Sequence, residues 1–254
     1  RFSLLEKTGI EHLNGWWSNL AKGDFDNDGD MDFLAGNWGL NSCFQASEKE
    51  PLSIYYNDFD SNGVKEPVLF HYLEGVSAPF VNRDLLCAQM PALNNRFFSF
   101  ETYSTVTEAN LFEKSQMENS LKLTANTLQS YYIENLGNGK FKATPLPIKA
   151  QFAPINDLLV TDLNNDENLD VVIAGNNLAN HYEYGPIDAM KGLILLGNGD
   201  GSFKVLPPAE SGYDASGFAK RLSLLKGTGT DIKIALAKNN SGLVLYSLQR
   251  PSIP

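Results

Sequence analysis

Hydrophobic and polar positions alternate along most of this chain, in short stretches separated by polar or glycine-rich turns. Residues 16–21, 52–56, 68–73, 121–125, 128–134, 156–161, 171–174, 192–196, 221–225, 231–237 and 242–247 each read as a strand. Residues 1–15 read as an entry strand and turn. Asn138-Gly139 supplies a hairpin turn into a partner strand at Phe141, and Pro145 and Pro147 close that unit. From Asn82 to about Phe112 the alternation stops. Asn82 offers an N-cap to helix formers that run to Met90 and halt at Pro91. Thr105 to Glu108 has the form of a capping box leading into residues 109–112. The pattern predicts one all-β region over residues 1–254, with a small helical insertion at residues 78–118.

What punctuates the strands carries the chemistry. The stretch Asp24, Asp26, Asp28, Gly29, Asp30, Asp32 packs five carboxylates into nine residues, two apart. Such a cluster repels itself unless a cation neutralises it. Oxygen side chains at positions 1, 3 and 5, a carbonyl at 7 and a glycine at 6 suit calcium. The opening matches an EF-hand loop, but the twelfth position is Ala35 and the closing acid comes at position nine, Asp32. Its flanks are too short and glycine-rich for EF-hand helices, so the loop joins two strands. A second copy reads Asp58, Asp60, Asn62, Val64, Glu66, and a third Asp162, Asn164, Asp166, Asn168, Asp170. Position 2 is apolar in all three (Phe25, Phe59, Leu163), which marks it as a core plug. The third copy carries Glu167 where the turn glycine belongs, which predicts a strained turn or a weaker site. Three copies make a repeat architecture.

These loops, the strands ending in Ala35-Gly36-Asn37 and Ala174-Gly175-Asn176, and the hairpins at residues 136–141 and 196–203 resemble FG-GAP/VCBS repeats. Such repeats build the calcium-bearing β-propeller blades of integrin α-chain heads and of many large bacterial surface proteins, notably of the Bacteroidetes type. The resemblance covers roughly residues 15–75 and 130–248. It implies a β-propeller, up to three Ca²⁺ ions and an extracellular, cell-surface or periplasmic location. About four blades can be counted, either a complete smaller assembly or part of a seven-bladed propeller. The first two loops stand 34 residues apart, a little under one blade, and the third follows 104 residues later. In the last unit the turn at residues 227–230 replaces a calcium loop.

Charge adds a constraint. The net charge is −10, and the three loops hold 12 of the 30 acidic residues. Three bound Ca²⁺ would leave about −4, so the acidity belongs mostly to the loops and argues against a nucleic-acid partner. No apolar run reaches the roughly 20 residues of a membrane helix. The chain begins at Arg1, which reads as a processed piece of something longer that contacts further blades or domains of the same chain. Cys43 and Cys87 read as free thiols.

No catalytic signature stands out. His12, His71 and His181 lack metal-protease spacing, and His71 sits in an apolar strand as a packing residue. The aromatics Trp16, Trp17, Trp38, Tyr182 and Tyr184 could form a sugar-stacking platform or simply fill the space between blades. The expected function is a calcium-stabilised binding or scaffolding module for a protein or glycan ligand. The alternative is a carbohydrate-active lyase or hydrolase with its site in a central funnel, and Arg83, Arg96 and Arg221 are the residues whose placement bears on it.

Overall fold

In the computed structural model, which describes residues 2–182, 184–226 and 232–248, the strands gather into four antiparallel sheets. Helices are few and short, so the architecture is mostly β. The chain divides into two compact units, one of residues 1–12, 16–43 and 128–254, the other of residues 13–15 and 44–127.

The first unit begins with a hairpin of β1 (Asn19–Gly23) and β2 (Asp32–Gly36). The chain then builds the second unit from β3 (Leu52–Asn57), β4 (Glu66–Leu73), β5 (Val76–Pro79), α1 (Arg83–Gln89), α2 (Phe100–Ser104), α3 (Lys114–Glu118) and β6 (Leu121–Ala125). Only afterwards does β7 (Tyr131–Asn135) pair with β2, and β8 (Phe141–Pro145) completes the order β1-β2-β7-β8. The next sheet is a plain meander of β9 (Ile155–Thr161), β10 (Asp170–Gly175), β11 (Leu193–Gly197) and β12 (Phe203–Leu206). After α4 (Pro208–Ser211), β13 (Ala219–Lys226), β14 (Ile232–Lys238) and β15 (Val244–Ser247) make a three-stranded sheet.

The 34 residues between the first two loops do not span one finished sheet. The second loop does not follow a finished first sheet; its unit is inserted between β2 and β7. The pairing Phe33↔Ile133 closes a long excursion, and the entropy of closing a loop grows only slowly with its length. Spacing along the chain therefore could not reveal it. In the second unit the order is β5-β4-β3-β6, so its acidic loop joins the two central strands. In the sheets of the first unit the corresponding loop joins an edge strand to its neighbour.

Successive sheets of the first unit pack through two apolar cores. Phe25, Leu34, Leu146, Ile155, Val171, Ile173 and Leu195 fill the first, and Leu163, Val172, Ile194, Tyr213 and Leu236 the second. Each fully buried aliphatic side chain contributes about 1.5–3 kcal/mol. The opening strands β1, β9 and β13 are neighbours. Asn19 donates to Asp157 Oδ1 at 2.9 Å, Leu222 N–H to Asp157 Oδ2 at 2.7 Å, and Asn156 Nδ2 to the Ala219 carbonyl at 2.7 Å.

Two local expectations fail. Residues 2–18 form no strand and β1 starts at Asn19; at the end of that stretch the Trp16 N–H goes to Asn37 Oδ1 at 3.0 Å. Residues 109–112 form a turn, not a helix. Glu108 cannot close a box on Thr105, since it binds the Tyr55 hydroxyl (2.5 Å), Ser77 Oγ (2.6 Å) and Lys122 (2.9 Å). The capping box sits instead at Ser99 and Thr102, opening α2. Asn82 does cap α1, accepting from Leu85 N–H at 3.0 Å. Residues from this segment (Leu86, Cys87, Met90, Phe97, Leu111, Phe112) complete the core of the second unit against Tyr55, Phe59, Val68 and Phe70.

Candidate metal centres

The three acidic loops adopt one backbone plan. Position 4 has a positive φ in each (Asn27 59°, Ser61 61°, Asn165 66°), and so does position 6 (Gly29 96°, Gly63 88°, Glu167 71°). The position-1 carboxylate accepts the N–H of position 6: Asp24 from Gly29 at 3.1 Å, Asp58 from Gly63 at 2.9 Å, Asp162 from Glu167 at 3.2 Å. Position 3 accepts from position 5 (Asp26, Asp60 and Asn164), and position 5 from position 7 (Asp28 from Asp30, Asn62 from Val64, Asp166 from Asn168). The side-chain oxygens are thus turned toward the inside of each loop by the backbone it wraps. Glu167 holds a conformation that disfavours an L-residue.

Position 9 has a second task. Asp32, Glu66 and Asp170 are buried, and each accepts the N–H of the position-2 residue of its loop: Phe25 at 3.2 Å, Phe59 at 3.0 Å, Leu163 at 2.8 Å. In the first unit the same carboxylates also reach the third strand of their sheets, where Asn135 N–H meets Asp32 at 2.8 Å and Gly197 N–H meets Asp170 at 3.0 Å. Tyr132 adds its hydroxyl to Asp32 at 2.9 Å. Phe25, Phe59 and Leu163 are buried as plugs. The acid and the plug together fasten the loop to the core, and the carboxylate's remaining lone pairs stay open to an ion. The 1-3-5-9 spacing pointed only to ligands; the fastening role was not legible, because it depends on where the third strand arrives.

Charges converge most in the first two loops. Asp24, Asp26 and Asp28 each bring a carboxylate oxygen within 4.8 Å of the others, as do Asp58, Asp60 and Glu66. Either group could hold a metal ion. In the first loop Asp24 Oδ1 and Asp30 Oδ1 are buried without a hydrogen-bond partner. Burial, then the charges of neighbouring acids, push the Asp26 and Asp30 carboxyls above their ordinary value. Burial also raises Asp170. Asp166 goes the other way, lowered by hydrogen bonds from Asn168 and Asn164. Without a cation the first loop is electrostatically frustrated and partly unsatisfied, so its oxygens fit a hard cation. With asparagine at positions 3 and 7, the third loop offers less charge. Asn168 uses its side chain to accept from Asn27 at 3.0 Å, linking the third loop to the first.

A repeated amide follows the second strand of two sheets. Asn37 and Asn176 are fully buried. Asn176 donates to the Met190 and Gly217 carbonyls at 2.7 and 2.8 Å and accepts from Met190 N–H at 3.0 Å. Gly175 precedes it because a Cβ there would collide with the Pro154 carbonyl. The Gly-Asn repeat was visible in the sequence, but its role as a staple was not.

Of the other candidates, Trp16, Trp17 and Trp38 line one pocket of the first unit, together with Phe218 and Lys220. Tyr182 and Tyr184 are absent from that lining and cluster with His181. Arg83 donates to the Phe97 carbonyl and Arg96 to those of Asn110 and Leu111, both within the second unit. Arg221 lies 3.4 Å from Asp157. His71 packs edge-on against Phe80, and burial lowers its pKa. Both cysteines are free thiols, Cys87 buried and Cys43 exposed. The turn at residues 227–230 lies outside the described residues. No protein-family model matches the chain, and no curated protein matches it. Among the described residues no helix is long and apolar enough to cross a membrane.

Proposed function

We propose that this chain is a calcium-stabilised β-propeller segment of the FG-GAP/VCBS type, serving as a binding or scaffolding module in an extracellular or cell-surface setting. The observation that carries the reading is the shared plan of the three loops: the same positive-φ positions, the same hydrogen bonds from positions 5, 6 and 7, and a buried acid at 9. Orphaned Asp24 Oδ1 and Asp30 Oδ1 support a cation in the first loop. Residues 24, 26 and 28 would hold it there with the carbonyl of Asp30, and residues 58, 60, 62 and 66 with the carbonyl of Val64 in the second. The ion would neutralise the loop and lock the turn between two strands. Face-to-face packing of successive sheets, with β1, β9 and β13 side by side, supports blades arranged about a common axis.

The test is a thermal melt in calcium and in EGTA, with metal content measured on the purified protein. A large fall of the midpoint in EGTA and two to three Ca²⁺ per chain are expected, since an ion bound only by the folded state stabilises it by mass action. An unchanged midpoint with no bound metal would refute the reading.

A further inference from the structure

The metal loops leave unexplained the aromatic pocket of the first unit, an open cleft of about 310 Å³. That is near the lower end of small-molecule sites, room for one ring and its substituents, not for a chain. Trp16 and Trp38 meet edge to face, 5.3 Å apart and at 87°. Trp17, 39% exposed, lines the pocket and meets Tyr131 edge-on, 6.2 Å between ring centres. Asn156 uses Nδ2 to bind the Asn176 and Ala219 carbonyls, both at 2.7 Å. Those two bonds fix the orientation of the amide and leave Oδ1 as an acceptor. Lys220 is exposed, with its ammonium 3.5 Å from the centroid of Phe218. No ion pair among the described residues involves it. No acidic residue lines the pocket, although the chain carries a net charge of −10.

We infer that this pocket binds a sugar ring bearing a carboxylate, a uronic-acid unit at the end of a glycan. The apolar C–H face of a pyranose packs on an indole, which Trp17 presents. Asn156 Oδ1 accepts a ring hydroxyl. The Lys220 ammonium, held against Phe218 by a cation–π contact, meets the carboxylate. An aromatic wall with a few fixed polar groups is the usual make-up of such sites. A quaternary ammonium ligand is disfavoured by Lys220, and a divalent cation finds no carboxylate here. The inference names the ligand of the binding module proposed above and rests on that reading for its setting.

The test titrates the intact chain in calcium with methyl glucuronide and methyl glucoside, both anomers of each, and with benzoate, following tryptophan emission. The glucuronide should bind about tenfold or more tighter than the glucoside, the worth of one charge-assisted contact. Lys220→Gln should remove that preference, and Trp17→Ala should weaken both sugars. Equal binding of the two sugars, binding of neither, or benzoate competing as well as the glucuronide would overturn the assignment. The comparison on the parent protein stands even where a variant fails to fold. Melts in calcium and EGTA on the same samples separate the failure of the calcium reading from that of the sugar assignment.

Discussion

Glu167 tests whether the third loop carries backbone strain. It sits at φ 71°, where the other two loops have Gly29 and Gly63 at 96° and 88°. A left-handed conformation costs an L-residue about 1–2 kcal/mol. Replacing it with glycine also loosens the unfolded chain, which gives back about 0.4–1 kcal/mol. The expected net gain for Glu167→Gly is about 0.5–1 kcal/mol, a rise of about 1–4 °C in Tm for a unit of this size. The substitution also deletes a charge from an acidic loop, so Glu167→Ala is the control: it loses the same charge and keeps the strained backbone. Gly29→Ala is the mirror image. A Cβ at Gly29 would meet nothing within 4 Å, so its cost is conformational and should be about 0.5–1 kcal/mol. Thermal melts followed by near-UV circular dichroism, in saturating calcium and in EGTA, read all three. If Glu167→Gly is no more stable than Glu167→Ala, or Gly29→Ala is neutral, the shared-turn argument is wrong.

Other substitutions probe the remaining links. Asp170→Asn puts an amide N–H₂ against the Leu163 or Gly197 N–H and should cost about 2–4 kcal/mol in urea denaturation. Asn176→Ala removes three hydrogen bonds, two of them buried, and should cost a similar amount, read the same way. For Glu108, burial alone would raise the pKa, but hydrogen bonds from Ser77, Tyr55 and Lys122 and the Lys122 charge outweigh it and lower the value below 4.5. Its stabilisation should therefore be complete above about pH 4.5 and vanish as pH falls through the depressed folded value. Glu108→Gln should flatten that part of the stability–pH curve; an unaltered acid limb would sink the argument. In calcium titrations the first loop should fill first and the third last, tracked by Asp24→Asn, Asp58→Asn and Asp162→Asn variants. Equal affinities would contradict a ranking based on charge and turn strain.

Composition and spacing alone determined that this is a β protein carrying three acidic loops of one kind, each followed by an apolar strand. They did so because a loop that turns oxygens inward needs its polar atoms two apart, a plug at position 2 and a sharp turn at position 6, all of which are local. Local signals also identified the Asn82 cap, the stop at Pro91 and the buried plugs. The tertiary structure decided which strands share a sheet. Nothing near Gly36 says that its strand pairs with β7 after a whole second unit, since that pairing joins backbone positions more than ninety residues apart. For the same reason the carboxylates of Asp32 and Asp170 could be seen as acids but not as fasteners, and Asn37 and Asn176 as a repeat but not as staples. Trp16, Trp17 and Trp38 were legible as a group of aromatics. Only packing brought Phe218, Lys220 and Asn156 to the same pocket and left Tyr182 and Tyr184 out of it.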